Sequence, residues 1–256
     1  MMKAIIAGNW KMNKDNGQSR ELVLKLMSLV GIDELKNRQV ILIPPFTSLS
    51  ILAELVMNSP IKLGAQNMHW ERSGAFTGEV SGVFIKQLGC EYVIIGHSER
   101  RHLMGETNKE INRKLKTALD IGLIAILCVG ETGAERDAGQ TESVIEKQLT
   151  QGLEGFENEA HKMIIAYEPV WAIGTGKTAT LEQAVEVHKF IRGLLKKPST
   201  IIYGGSVKSD NIDQLMAHEE IQGVLVGGAS LDPESFARII QYQKFLDKPK
   251  ISDSSD

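Results

Sequence analysis

The sequence contains few cysteines: among its 256 residues only Cys90 and Cys128 are present. Two cysteines are too few for a disulfide framework or for a structural zinc site, and both lie in apolar stretches. Five of the six histidines, all except His97, show no metal-ligand spacing. We therefore expect no metal centre, and we expect a protein of the reducing cytoplasm.

The chain also lacks an excess of positive charge and any long apolar segment. Lysine and arginine total 29 against 32 aspartates and glutamates, which gives a net charge of -3 and a pI near 6.1. This balance provides no broad basic surface for nucleic acid or an anionic membrane, although a local cluster can hold a small anion. No apolar run approaches the roughly 20 residues of a membrane helix, and the run at 4–7 is too short for a signal peptide. We therefore expect a small-molecule ligand.

What the sequence has instead is a regular alternation of two patterns. Short apolar runs rich in isoleucine, valine and leucine each end in glycine, proline or a polar residue. The absence of alternation within them is typical of parallel strands that are buried on both faces. The eight predicted strands are 4–7, 40–43, 61–63, 92–95, 123–129, 163–167, 200–203 and 224–226.

Helical patterns lie between the predicted strands. Thr107 with Glu110, and Thr180 with Gln183, form capping boxes that predict the starts of two helices. Asp232, followed by a proline, predicts the start of the last helix. The residues of the first helix that we expect on one apolar face are Leu22, Val23, Leu26, Met27 and Val30.

Eight strand–helix units fit either a closed (β/α)8 barrel or an open, doubly wound sheet. The near-regular spacing and the number of units favour the barrel. No shift of composition and no linker divides the chain. The sequence thus predicts a single α/β domain, a barrel over residues 1–246, followed by a polar tail over residues 247–256.

In a parallel barrel the functional side chains lie at the carboxyl ends of the strands. The residues that follow each predicted strand are therefore the candidates for chemistry. The candidates are Asn9 and Lys11 after the first strand, His97, Ser98, Glu99 and Arg100 after the fourth, Glu168 after the sixth, Gly204, Gly205 and Ser206 after the seventh, and Gly227 and Gly228 after the eighth. We expect them to converge on one face of the molecule.

The two glycine pairs predict a phosphate site. Without a Cβ atom the backbone can approach a ligand closely and direct its N–H groups at an anion. Loops after the seventh and eighth strands form the usual phosphate site of such barrels. Each pair alone is equally compatible with a tight turn, but two consecutive pairs, one followed by Ser206, favour phosphate binding.

The segment 174–178 resembles two nucleotide-binding motifs without matching either. A P-loop requires glycine at position 171, where this chain has Trp171, and the dinucleotide fingerprint lacks its ribose-binding acid. The segment lies between a strand end and a capped helix, which favours a mobile lid over the ligand. No nucleotide cofactor is predicted.

The candidate side chains also have structural alternatives. A single histidine is most often structural, but the position of His97 at a strand end favours catalysis. Glu168 precedes a proline at a strand end, which favours function over a solvated surface position. Glu99 is interpreted either as a supporting acid or as an ion-pair partner of Arg100 or Arg101.

Five segments together resemble the triosephosphate isomerase family. They match the family's order over nearly the whole chain, and the combination is highly specific. The segments are 9–13 (NWKMN), 95–101 (IGHSERR), 166–176 (AYEPVWAIGTG), 203–207 (YGGSV) and 226–229 (VGGA). The resemblance implies a (β/α)8 barrel that interconverts dihydroxyacetone phosphate and D-glyceraldehyde 3-phosphate through an enediolate, without a cofactor, in glycolysis and gluconeogenesis.

The matching motifs imply a role for each site residue. Glu168 is the expected base and His97 the expected electrophile, with Asn9, Lys11 and Glu99 completing the catalytic set. The residues expected to contact the substrate or its phosphate are Asn9, Trp10, Lys11, Gly174, Ser206, Gly227 and Gly228. The expected substrates are therefore triose phosphates.

The segment 66–81 resembles the loop through which the family forms homodimers. Its length and its apolar residues suit a surface that docks against a second subunit. The expected interface residues are Gln66, Phe76, Thr77 and Gly78, and Thr77 is expected to reach toward the partner's active site. A second copy of the chain is thus the expected macromolecular partner, with no nucleic acid and no membrane.

One departure from the family is visible, and two other functions share part of the sequence pattern. The connection 192–200 is several residues shorter than is usual, which places local packing in question but lies on the face away from the chemistry. Another phosphate-binding barrel enzyme shares the glycine loops but does not require Glu168 and His97. A non-catalytic barrel is expected to have lost Lys11, His97 or Glu168, and all three are present.

Overall fold

Eight parallel strands close into a barrel in the computed structural model, which describes residues 3–31, 34–35, 37–173 and 179–243. Neighbours in the barrel are neighbours in the chain, and β1 pairs with β8 to complete the circle. The strands are β1 (Ala4–Asn9), β2 (Arg38–Ile43), β3 (Lys62–Ala65), β4 (Cys90–Ile95), β5 (Ile124–Val129), β6 (Ile164–Tyr167), β7 (Thr200–Tyr203) and β8 (Gly223–Val226). The predicted barrel is confirmed, and the doubly wound sheet is excluded.

Helices follow the strands and cover the outside of the barrel. They are α1 (Asn16–Leu29), α2 (Leu49–Val56), α3 (Gly82–Gln87), α4 (Ser98–Leu103), α5 (Asn108–Ile121), α6 (Gly133–Asp137), α7 (Thr141–Gly152), α8 (Leu181–Leu194), α9 (Ile212–Ala217) and α10 (Pro233–Ile240). Short 3₁₀ turns span Phe46–Ser48, Glu157–Lys162, Val170–Ala172 and Gly228–Leu231. Two of these turns, Val170–Ala172 and Gly228–Leu231, follow closely on the strand ends where chemistry was predicted.

The predicted helix starts are confirmed by hydrogen bonds. Thr107 accepts from the N–H of Glu110, whose carboxylate accepts from the N–H of Thr107. Thr180 and Gln183 make the same reciprocal pair at the start of α8. Asp232 caps α10 through its side chain, and a proline occupies the first turn. Local side-chain chemistry therefore sets where these helices begin.

The prediction of the buried face of α1 is wrong at one residue. Leu22, Val23, Leu26 and Val30 are buried, whereas Met27 is 37% exposed. Met27 lies at the edge of the apolar stripe, because successive residues turn by about 100° around a helix. The stripe that faces the barrel is thus narrower than the sequence pattern indicated.

The strands are buried on both faces, as their apolar sequences predicted. On β4, Tyr92 and Ile94 belong to the cluster that fills the barrel, while Val93 and Ile95 belong to the layer between sheet and helices. The two cysteines divide in the same way, with Cys128 inside the barrel and Cys90 in the outer layer. Both are free, and burial raises the pKa of Cys90 to about 12.

The short connection between α8 and β7 is firmly attached to the rest of the barrel. Arg192, near the end of α8, pairs with Glu220 at 2.9 Å. The N–H of Ile201 donates to the side chain of Gln222 at 2.9 Å, and Ile201 is fully buried. These contacts hold the connection between α8 and β7 against the barrel. In the part of the chain that the structure describes, no helix has the length and apolar character to cross a membrane.

Candidate active site

A cavity of about 240 Å³ opens at the carboxyl ends of the strands. It is lined from β1, β4, β6, β7 and β8, so five separate strand ends contribute to one space. The lining residues are Asn9, Lys11, His97, Glu168, Ile173, Gly204, Gly205, Ser206, Val207, Lys208, Leu225, Gly227, Gly228 and Ala229. The structure thus brings together the main residues that the strand ends predicted.

The central contact of the cavity joins a carboxylate and an imidazole. Oε1 of Glu168 lies 3.1 Å from Nε2 of His97, and both side chains are almost completely buried. Oε2 of Glu168 accepts the backbone N–H of Ser98 at 3.0 Å. The backbone N–H of Glu168 donates to the carbonyl of Val129 at 2.8 Å, so the residue is held at both ends. A charge buried this deeply requires such partners.

The first turn of α4 sets the tautomer of His97. Nδ1 of His97 accepts the backbone N–H of Glu99 at 3.2 Å and caps the helix. A nitrogen that accepts this bond carries no proton, so the ring proton of the neutral form lies on Nε2. Nε2–H is therefore the donor that faces Glu168 and the cavity.

Burial and charge act in opposite directions on the two groups. Burial lowers the pKa of His97, but the carboxylates of Glu168 and, to a smaller extent, Glu99 together raise it more, so its pKa is raised overall. Burial raises the pKa of Glu168, whereas His97 and the N–H of Ser98 lower it more, so its pKa is lowered overall. Glu168 is consequently an ionised carboxylate at neutral pH, which is the form that can accept a proton.

A second ion pair lies at the edge of the cavity. Nζ of Lys11 is 2.6 Å from Glu99, and both side chains are partly exposed. The interpretation that pairs Glu99 with Arg100 or Arg101 is therefore wrong. Arg100 binds Glu106 instead. The guanidinium of Arg101 donates to the carbonyl of Gly96, after β4, and to the carbonyl of Cys128, near the end of β5. Both arginines thus have other partners, and Glu99 pairs with the ammonium of Lys11.

Lys11 is held in an unusual backbone conformation. Its φ is +53°, a left-handed value that residues other than glycine rarely adopt. The N–H of Lys11 donates to Oδ1 of Asn9 at 3.0 Å, and its carbonyl accepts from Nε2 of Gln66 at 2.7 Å. Asn9 and Gln66 thus hold the turn that directs the ammonium at the cavity.

The glycine loops that follow β7 and β8 also line the cavity. A Cβ atom built at Gly228 would meet nothing within 4 Å, so its face is open to the cavity. A Cβ at Gly227 would lie 4.0 Å from Nζ of Lys11, which places the ammonium beside this loop. The carbonyl of Gly227 accepts the N–H and hydroxyl of Ser230 and shapes the turn. Exposed backbone next to an ammonium is a suitable site for an anion.

One predicted site residue, Trp10, does not line the cavity. It has no exposed surface and belongs to the core. Contact between its side chain and a substrate is therefore not supported, because a fully buried ring cannot reach a ligand. Gly174 and the rest of the predicted lid, 174–178, lie outside the described residues.

Trp171, shortly before the segment 174–178, is hydrogen-bonded to the buried carboxylate of Glu131. Nε1 of Trp171 donates to Glu131 at 2.9 Å, and the guanidinium of Arg136 lies 4.8 Å from the Trp171 ring. Glu131 is fully buried and also pairs with Arg136 at 3.1 Å. Sequence reasoning did not single out Glu131, although its position two residues after the fifth predicted strand was a signal of the same kind as that of Glu168.

Lys208 is a cavity residue that the sequence analysis missed. It lines the cavity two positions after Ser206, on the loop that follows β7. Its position directly after the YGGSV motif was the available signal. With Lys11 it supplies a second positive charge to the region of the glycine loops. Across the described residues, no group of three or more histidine, cysteine or acidic side chains is placed to hold a metal ion.

The predicted interface segment 66–81 lies at the surface beside the site. Phe76 is 42% exposed and its ring centroid lies 4.4 Å from that of His69. Thr77 and Gly78 are exposed, and Gly78 has a φ of +91°. Gln66 is half-buried and bonds to Lys11, so this segment is connected directly to the cavity.

A closed barrel with a buried carboxylate–imidazole pair facing open glycine loops defines a class of protein. It is a (β/α)8-barrel enzyme that transfers a proton on a small anionic substrate. The comparison with known proteins narrows this class, since a sequence model of the family described as triosephosphate isomerase matches residues 4–243. The chain belongs to the triosephosphate isomerase family.

The sequences of individual relatives match this chain over almost their full length. The chain is 50% identical to the triosephosphate isomerase of Aquifex aeolicus over 246 residues, covering 93% of this chain and 99% of that protein. It is 51% identical to that of Trichodesmium erythraeum over 244 residues, covering 95% and 100%. It is 50% identical to that of Moorella thermoacetica over 252 residues, covering 95% and 100%. This membership decides against an unrelated phosphate-binding barrel.

The open face of Gly228 leads to a test of the anion site. Gly228→Val adds a side chain that meets no protein atom within 4 Å, so we expect little change in melting temperature. The side chain occupies the approach to the loop, so affinity for phosphoglycolate is expected to fall about tenfold or more, as for one lost charge-assisted hydrogen bond. Calorimetric titration and thermal melting of the same variant measure both effects.

Gly193→Val is the matched control, because its Cβ would also meet nothing within 4 Å but it lies on the outer helix α8. The control is expected to keep the affinity of the wild type. A Gly228→Val variant that is less stable but binds phosphoglycolate normally would show that Gly228 serves only the turn.

Proposed function

We propose that Glu168 and His97 carry out the interconversion of dihydroxyacetone phosphate and D-glyceraldehyde 3-phosphate that defines this family. The observation that carries the proposal is the buried contact of 3.1 Å between Glu168 and His97 inside a cavity walled by glycine loops. The reaction moves one proton between adjacent carbons. It requires a base, a hydrogen-bond donor to the oxygens and a site for the phosphate, and the cavity contains a candidate for each.

Glu168 is the base in this mechanism. Its carboxylate removes a proton from one carbon of the substrate, and the electron pair moves onto the carbonyl oxygen to give an enediolate. Glu168 then returns the proton to the neighbouring carbon, while the hydroxyl proton of the enediolate passes to the former carbonyl oxygen and leaves a new carbonyl group behind. The enzyme is therefore unchanged after each turnover. The lowered pKa of Glu168 supports this role, because the carboxylate is ionised when the substrate arrives.

His97 is the electrophile. Its Nε2–H faces Glu168, and in the reaction the substrate oxygen replaces the carboxylate as the acceptor. Once Glu168 has taken the substrate proton, the negative charge that raised the pKa of His97 is gone. Burial then favours the uncharged imidazole, which donates a hydrogen bond without losing its proton. A neutral imidazole electrophile beside a glutamate base is the established pattern of this enzyme family, and the assignment follows that pattern.

Lys11, Asn9 and Glu99 assist at the edge of the cavity, with Glu99 holding the ammonium of Lys11 at 2.6 Å. The ammonium offsets the charge of the phosphate and of the enediolate. Ser206, Gly227 and Gly228 bind the phosphate in this proposal, and the exposed backbone of the glycine loops supports it. Gly174, which we assign to the same phosphate by its motif, lies outside the described residues.

Glu168→Asp tests the base. The substitution keeps the carboxylate but withdraws it by one methylene, and misplacement of this size is expected to lower kcat ~100-fold with a modest change in KM. The interconversion is measured in both directions with a coupled assay. Glu142→Asp, the same change at an exposed position of α7, is the control and is expected to keep the wild-type kcat. A folded Glu168→Asp variant with near-normal kcat would remove Glu168 from the role of base.

The enzyme also acts as a homodimer in this proposal. The exposed ring of Phe76 and the exposed Thr77 support it, together with Met12, which is 95% exposed on the loop that follows β1. Exposed apolar side chains clustered beside a functional cavity are typical of a subunit interface. Gln66 links this segment to Lys11, so docking of a second subunit also supports the site.

A double substitution tests the dimer. Phe76→Glu with Thr77→Arg places charge on the proposed interface, so a monomer with at least a roughly tenfold lower kcat is expected, because like and unpaired charges oppose docking. Sedimentation velocity and the isomerase assay measure the two effects. Leu24→Glu, at a residue 46% exposed on α1, is the control and is expected to stay dimeric. Wild-type protein that sediments as a monomer at micromolar concentration would contradict the proposal.

We also propose that residues 1–246 are the barrel domain and that residues 247–256 are a polar C-terminal tail. The match of the family to residues 4–243 supports this division. We place the enzyme in the cytoplasm, and the two free, buried cysteines fit a reducing compartment.

A further inference from the structure

We propose that Gln148 is a positioning residue for Glu168 and acts through the backbone of Gly130. The inference rests on the proposed role of Glu168 as the base. Gln148 lies on α7, outside the barrel, and does not line the cavity. Its influence therefore passes through the loop that follows β5.

The side chain of Gln148 binds both polar groups of one residue. Oε1 of Gln148 accepts the N–H of Gly130 at 2.8 Å, and Nε2 donates to the carbonyl of Gly130 at 3.0 Å. Gln148 is buried, and its neighbours on the inner face of α7 are Ile145, Leu149 and Gly152. An apolar side chain is the usual occupant of such a position. A glutamine is explained here by the pair of backbone groups that it satisfies.

The backbone of Gly130 in turn lies directly against the backbone of Glu168. A Cβ atom at Gly130 would lie 1.8 Å from the carbonyl oxygen of Glu168 and 3.3 Å from its Cα. No side chain fits this gap, so the two backbones are in immediate contact. A shift of Gly130 is therefore transmitted to Glu168, because packed backbones leave no space to absorb it.

Hydrogen bonds on both sides of this contact join the same two segments. The N–H of Glu168 donates to the carbonyl of Val129 at 2.8 Å, and the N–H of Val170 donates to the carbonyl of Glu131 at 3.0 Å. The loop after β5 and the loop after β6 thus form one unit centred on Gly130. Gln148 is the side chain that anchors this unit to the helical layer at Gly130.

The expected consequence concerns catalysis more than binding. Within the described residues the side-chain hydrogen bonds of Gln148 go to Gly130 and not to the phosphate loops after β7 and β8, so affinity for inorganic phosphate is expected to stay unchanged. The carboxylate of Glu168 must lie close to the reacting carbons, and a displacement of about 1 Å is enough to cost up to 100-fold in rate. Loss of Gln148 is therefore expected to lower kcat with little change in KM.

Gln148→Met is the first test, because methionine has a similar length and makes neither hydrogen bond. We expect a ~10- to 100-fold lower kcat and a KM near that of the wild type. Gln151→Met on the same helix is the matched control, since Gln151 is exposed and accepts one exposed hydrogen bond from Asn108. Equal kcat values for the two variants would overturn the proposal.

A crystal structure of Gln148→Met gives a readout that is independent of activity. We expect Gly130 and Glu168 to move together and the contact between Glu168 and His97 to lengthen beyond its 3.1 Å, while Gln151→Met keeps it. An unmoved Glu168 would overturn the proposal whatever the kinetics. If the wild type did not interconvert triose phosphates, the proposed function would fail while this structural result still stood.

Gln148→Glu separates positioning from a loss of stability. A protonated carboxyl group can donate to one group of Gly130 and accept from the other, whereas the carboxylate only accepts. Burial raises the pKa of such a carboxyl, so the ratio of variant to wild-type kcat is expected to rise as the pH falls from about 9 to about 6. The ratio for Gln148→Met is expected to stay flat. A flat, near-unity ratio for Gln148→Glu would contradict the proposal.

Discussion

The contact between Glu168 and His97 is the constraint on which the rest of the site depends. A carboxylate buried to 2% exposure is tolerated only with close partners, and here those partners are an imidazole and the backbone N–H of Ser98. The same two groups are the ones that the reaction requires. In the proposed mechanism, substrate oxygens and a substrate proton replace these interactions during turnover, so the two buried groups keep partners throughout.

The barrel satisfies this constraint by positioning each of three site residues through contacts of the backbone. His97 is oriented by the first turn of α4, Glu168 by its contact with Gly130, and Lys11 by a left-handed turn bound by Asn9 and Gln66. These backbone contacts take no direct part in the proton transfer. They remove alternative positions in advance, so that little reorganisation is needed when charge develops on the substrate.

The fold and the centre of the site could be predicted because both depend on local patterns. Buried parallel strands leave continuous apolar runs, and the strand ends then locate His97 and Glu168. Contacts between distant loops had no such signal. The pairing of Glu99 with Lys11 depends on a left-handed turn, and a single glutamine on a mostly polar helix gives no hint that Gln148 binds Gly130. The prediction that Met27 is buried was wrong for a similar reason. Whether a residue at the edge of an apolar stripe is buried depends on how closely the helix packs on the barrel, and the sequence pattern does not contain that distance.

The protonation of His97 tests this mechanism most directly. Nitrogen-15 NMR of the protein with phosphoglycolate bound, assigned with a His97→Gln variant, reports on both ring nitrogens at neutral pH. The mechanism predicts a neutral ring with its proton on Nε2 and a bare Nδ1, because Nδ1 accepts the N–H of Glu99. A ring protonated on both nitrogens, or on Nδ1 alone, would contradict it, since neither form fits the backbone donor that orients His97.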